Sequence, residues 1–130
     1  MTASDLVRKL SFTGSTRVGR YLMEKSAGTL KRLSMELGGN APFIIFDDAD
    51  LDKAMKGVMA SKFRNAGQTC VSANRILVRA PIYDQFAEKL TKKVSGLVVG
   101  DGLQEKATVG PLINDAATEK VLGHIDDART

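Results

Sequence analysis

A chain of 130 residues with 43% hydrophobic and 26% charged side chains can bury one ordinary core, which argues against a disordered tail or a fibre. Its net charge of +4 comes from 19 basic and 15 acidic residues that are interleaved, Trp is absent and aromatics reach only 5%, so a basic patch with stacking rings for nucleic acid is not supported. One cysteine rules out an intrachain disulfide framework, Met1 to Asp5 lack the pattern of a secretory signal, and the apolar stretch Ala41 to Phe46 is far too short to cross a bilayer. The expectation is a cytoplasmic protein with neither nucleic acid nor membrane as partner.

Along the chain, strand-like and helix-like segments alternate. Val7 to Thr13 reads as a strand running into a turn at Gly14, Ser15 and Thr16, followed by a helix with Val18, Tyr21 and Leu22 on one face and Gly28 as its stop. Leu33, Met35 and Leu37 share one face of a second strand, and Ser34 and Glu36 share the other, until Gly38 and Gly39 break the run. Phe43 to Phe46 is a continuous apolar run, suited to a strand buried on both faces. The acidic residues between Asp47 and Asp50 offer N-caps for a helix striped by Leu51, Met55, Val58, Met59 and Phe63. Arg75 to Arg79 reads as a short strand, Pro81 opens a helix with Ile82, Phe86, Leu90 and Val94 at spacings of four, and a Gly-rich loop leads to a last helix from about Asn114. The alternation predicts an α/β fold with a largely parallel sheet. A strand near the first residue and a helix running to the last one suggest a segment of something larger.

Three stretches invite chemistry, and each has a plainer alternative. Gly14 to Gly19 stand between a strand and a helix, where glycine lets the backbone turn tightly and the helix N-terminus suits a pyrophosphate; a plain turn is the commoner meaning, and the spacing is not that of the usual dinucleotide fingerprint. Glu36 beside a double-glycine bend is either part of a solvated sheet face or a carboxylate held at a cleft edge as a base. A lone cysteine is usually a small buried hydrophobe. Cys70, however, keeps company with Gly67, Gln68, Thr69 and Ser72 between a helix and a strand, where loops carry reactive groups. His124 reads as a surface residue, and with one His and one Cys no Cys/His metal site is supported.

Together these stretches resemble the aldehyde dehydrogenase superfamily. The resemblance rests on Phe12-Thr13-Gly14-Ser15-Thr16, then Met35-Glu36-Leu37-Gly38-Gly39, then Gly67-Gln68-Thr69-Cys70, in the same order and spacing. Glu36 through Ile44 and Ala60 through Cys70 look like the succinate-semialdehyde dehydrogenase branch, with glutarate-semialdehyde dehydrogenases as near relatives. The resemblance implies the end of a Rossmann-like cofactor domain over 1–38 and the beginning of an α/β catalytic domain over 39–130. It implies Cys70 as nucleophile, with its N–H as half of an oxyanion hole, and Glu36 as general base. Gly14, Ser15, Thr16, Val18, Gly19 and Leu37 would contact NAD or NADP. Arg64 would grip the carboxylate of a semialdehyde substrate, a task that suits a planar guanidinium, although a cation at a helix end is also favourable for its own sake.

The match has departures. Some members of that branch carry a second cysteine two residues after the nucleophile; here Ser72 stands there, so a disulfide switch is excluded. Family enzymes are several times longer, and the parts that hold the cofactor's ribose, the second oxyanion donor and the oligomerisation segment are not in this sequence. The expectation is therefore an inactive piece of a homo-oligomeric NAD(P)-dependent enzyme. A truncated, non-catalytic product that acts through association is the alternative of a different class.

Overall fold

Leu10 and Phe12 alternate with Lys9, Ser11 and Thr13, and this period of two makes β1 (Lys9–Gly14), with the apolar pair half-buried and the polar residues exposed. The computed structural model describes residues 1–130, and β1 begins the first of two units, Met1–Gly39 and Asn40–Thr130. In the first unit β1 pairs in parallel with β2 (Arg32–Leu37), from Lys9 opposite Arg32 to Gly14 opposite Leu37. Between them runs α1 (Thr16–Ala27), which packs on both strands. Parallel neighbours need such a crossover because the chain must return to the same end of the sheet.

Two details of this unit differ from the sequence-based expectation. The strand begins at Lys9 rather than Val7. The buried stripe of α1 is made by Gly19 and Ser26, flanked by half-buried Val18 and Leu22, whereas Tyr21 is 56% exposed beneath the Lys25 ammonium. Apolar periodicity overlooks small residues, yet these are what let a helix approach a sheet closely. Gly28 does end α1, but the left-handed backbone near this end falls on exposed Leu30, at φ 48°.

The second unit repeats the strand–helix–strand pattern. β3 (Ala41–Ile45) and β4 (Ala73–Val78) pair in parallel, with an irregularity between Ala41 and Pro42. They are joined through α2 (Leu51–Phe63), and α3 (Ala80–Ser95) follows β4. Asp50 caps α2, accepting from the N–H groups of Asp52 and Lys53 at 3.0 and 3.1 Å. The core consists of Ile45, Met55, Val58 and Phe86, with Phe43, Leu51, Met59, Ile82 and Leu90 packed around it. Most of the predicted stripes of α2 and α3 thus lie in or against the core, while Phe63 and Val94 at the two helix ends fall outside it. The run Phe43 to Phe46, in contrast, is not buried on both faces: Ile45 is 2% exposed, but Ile44 and Phe46 exceed half. The helices cover one face of a two-stranded sheet and leave the other open.

Beyond α3, an isolated parallel bridge joins Val99 to Val109, and α4 (Asp115–Arg129) closes the sequence with Asn114 as its cap. No helix is long and apolar enough to cross a membrane.

Candidate active site

In the first unit, parallel register brings two of the singled-out stretches side by side. Thr13 lies opposite Glu36 and Gly14 opposite Leu37, so the Gly14–Gly19 turn and the Glu36–Leu37 strand end share one edge of the sheet. Ser15 caps α1, its hydroxyl accepting from the Val18 N–H at 3.3 Å, while the Gly19 N–H donates to the Ser15 carbonyl at 2.9 Å. The N–H groups of Thr16 and Arg17, at the head of the helix, have no partner within the chain, as expected of a first turn. Gly19 is buried against Leu37; a Cβ there would stand 2.7 Å from a Leu37 methyl, so the glycine sets how closely helix and strand approach. Glu36 points from the exposed face of β2.

Cys70 lies in the second unit, between α2 and β4, and is exposed. This disposes of the reading as a small buried hydrophobe. The chain reaches it through an unusual bend. After Phe63, residues Arg64–Gly67 form a single turn in which Asn65 and Ala66 take left-handed backbone, at φ 52° and 56°, followed by Gly67 at 76°. A second turn, closed by the Ser72 N–H donating to the Thr69 carbonyl at 3.2 Å, then carries Cys70. The Cys70 N–H donates to no group of the chain. On either side, the hydroxyls of Thr69 and Ser72 are shut off from solvent and lack a hydrogen-bond partner.

Arg64 occupies the C-terminal end of α2, exposed and outside every ion pair of the chain. His124 sits on α4 and is exposed. Sequence reasoning passed over Asn65 and Gln68. The Asn65 amide donates to the Gln68 carbonyl at 3.2 Å, and the Gln68 amide donates back to the Asn65 carbonyl at 3.1 Å. A polar pair three residues apart was the only signal available in the sequence.

The sequence profile described as the Aldehyde dehydrogenase family matches residues 1–130. The chain belongs to this family. It is similar to the NADP(+) succinate-semialdehyde dehydrogenase of Escherichia coli, with 63% identity over 98% of this chain and 27% of that protein. It is 61% identical to the glutarate-semialdehyde dehydrogenase of Pseudomonas putida over the same shares. Among solved structures, a succinate-semialdehyde dehydrogenase from Burkholderia pseudomallei superposes with a TM-score of 0.95 at 62% identity, covering 98% of this chain and 26% of that one. The chain thus spans about a quarter of the length of the relatives it matches.

Proposed function

We propose that the chain is the nucleophile-and-base segment of an NAD(P)-dependent aldehyde dehydrogenase that oxidises a carboxylate-bearing semialdehyde, succinate semialdehyde foremost, to the diacid. The observation that carries the reading is Cys70 itself: a solvent-facing thiol on a doubly turned loop, with a backbone N–H left unpaired beside it. We assign 1–38 to the end of the cofactor domain and 39–130 to the start of the catalytic domain. The exposed thiol suits a reducing compartment, the cytoplasm.

The reaction follows from these groups. The Cys70 thiolate adds to the aldehyde carbon, forming a C–S bond and a thiohemiacetal oxyanion, which the Cys70 N–H steadies. A bound nicotinamide would supply the acceptor for the hydride that leaves this carbon, with Cys70 then held as a thioester. Glu36 removes a proton from water, which attacks the thioester carbonyl; the C–S bond breaks, the carboxylate product departs and the thiol is restored. The chain's own residues fit the cofactor at the Gly14–Gly19 turn. Gly14 has no room for a side chain, its Cβ position lying 2.5 Å from the Phe12 ring, and the unpaired N–H groups of Thr16 and Arg17 at the positive end of α1 suit phosphate oxygens. We assign Ser15, Val18, Gly19 and Leu37 to the same cofactor face.

Arg64, free of any internal carboxylate, supports a substrate with a distal carboxylate. The likeness to the Pseudomonas putida enzyme makes glutarate semialdehyde the competing substrate.

The test places this chain in the Escherichia coli relative in exchange for its aligned stretch. Cys70→Ala should abolish aldehyde oxidation, and Glu36→Gln should let the thioester accumulate after a single burst of reduced cofactor. Arg64→Ala should lower kcat/KM for succinate semialdehyde roughly ten- to hundredfold, since hydrogen bonds to a charged group contribute about 1.5–3 kcal/mol, while leaving butanal nearly unaffected. Normal turnover by the Cys70 variant, or equal losses on both aldehydes for Arg64→Ala, would sink the respective assignment.

A further inference from the structure

Between the left-handed bend and the nucleophile stands Gln68, half-buried, and its side chain is fully engaged. Its Oε1 accepts the Ile113 N–H at 2.9 Å, and its Nε2 donates to the carbonyls of Asn65 at 3.1 Å and Pro111 at 3.4 Å. Its backbone is held as well: the Gln68 N–H donates to the Asn65 carbonyl at 3.1 Å, and its carbonyl accepts from the Asn65 amide at 3.2 Å. One residue therefore brackets the bend locally and pins it to a segment 43 to 45 positions further along. Every hydrogen bond between the 64–72 loop and residues 111–113 belongs to Gln68.

The geometry points to Gln68 as the positioning residue of the nucleophile, and this rests on the reading of Cys70 given above. Asn65 and Ala66 occupy backbone conformations that cost L-residues energy and persist only where surroundings over-determine them. The reciprocal Asn65–Gln68 bonds supply part of that constraint, and the ties to Pro111 and Ile113 fix where the bend ends. The turn that carries Cys70 begins at the next residue, Thr69. A shift at Gln68 is therefore passed straight to the sulfur, and small misplacements of a reacting atom are costly. The arrangement needs a side chain that both donates and accepts. Glutamate would keep the bond from Ile113 but set a carboxylate oxygen against two carbonyls.

Two measurements test this on the whole chain and on the Escherichia coli relative that carries it. In the chain itself, Gln68→Ala should speed hydrogen exchange of the Ile113 amide while Val58 and Ile76 stay protected, and Gln68→Glu should keep the Ile113 amide slow. Unchanged Ile113 exchange in Gln68→Ala overturns the tether, whatever the activity. In the hybrid enzyme, both variants should lose about tenfold to a hundredfold in kcat with KM little changed, the mark of a misplaced reacting group rather than a lost binding contact. Unchanged kcat, or a loss that appears in Gln68→Ala alone and tracks a fall in Tm, overturns the positioning role. Cys70→Ala assayed alongside separates the two ideas: an active Cys70 variant defeats the nucleophile reading and with it the positioning role, while Ile113 exchange still judges the tether.

Discussion

Gly67 has a φ of 76°, and a Cβ placed there would lie 3.0 Å from the Lys62 carbonyl oxygen. Both facts set the cost of a side chain. Gly67→Ala should destabilise the chain by about 1–3 kcal/mol, read from urea unfolding, because a left-handed L-residue is strained and the backbone oxygen cannot simply move aside. Ala66 already bears such strain at φ 56°. Ala66→Gly should therefore be neutral or stabilising by up to about 1 kcal/mol, the relief being partly offset by extra freedom in the unfolded chain. Ser72 offers a related case. Its hydroxyl is buried without a partner, so Ser72→Ala should raise stability by roughly 1 kcal/mol rather than lower it. At this scale the sequence exposed Cys70, since its polar, glycine-bearing neighbours were unlike a core. It concealed the left-handed run, because alanine at position 66 carries no hint of it.

At the scale of elements, α2 and α3 were legible. Leu51 through Met59 of the one stripe and Ile82, Phe86 and Leu90 of the other lie on faces that pack against each other and on the sheet. Their ion pair was not legible. The Lys89 ammonium lies 2.7 Å from the Asp52 carboxylate across the two helices. That hydrogen bond, followed by the Lys89 charge and smaller contributions from Lys56 and Lys93, holds the Asp52 carboxyl below its ordinary 3.8. A carboxyl depressed in the folded state stabilises it above the unfolded value and loses that contribution as pH falls through the folded one. Asp52→Asn should therefore lower Tm slightly near neutrality, the pair being exposed and screened, and converge with the parent chain below about pH 4, so that its decline on acidification is flatter. Thermal scans between neutral and acid pH check this; an identical acid slope in the variant would assign the decline to other carboxylates.

At the scale of the whole molecule, each unit has a two-stranded parallel sheet, and large apolar side chains such as Ile44, Phe46, Leu77 and Leu103 face solvent. Uncovered strand edges and apolar surface favour association. The 130-residue chain on its own should self-associate as its concentration rises in sedimentation velocity runs; a monomer throughout would contradict this. The sequence by itself determined the strand–helix–strand alternation, the helix caps, the apolar stripes of α2 and α3 and the family motifs around Glu36 and Cys70. These are local properties, written in residue type and period. Tertiary structure alone decided that Gly14 lies beside Leu37, that Gly19 and Ser26 rather than Tyr21 face the sheet, and that Gln68 holds the Cys70 loop to Ile113. Such pairings join residues far apart in the chain, and no period along a sequence encodes which backbone carbonyl a distant amide will find.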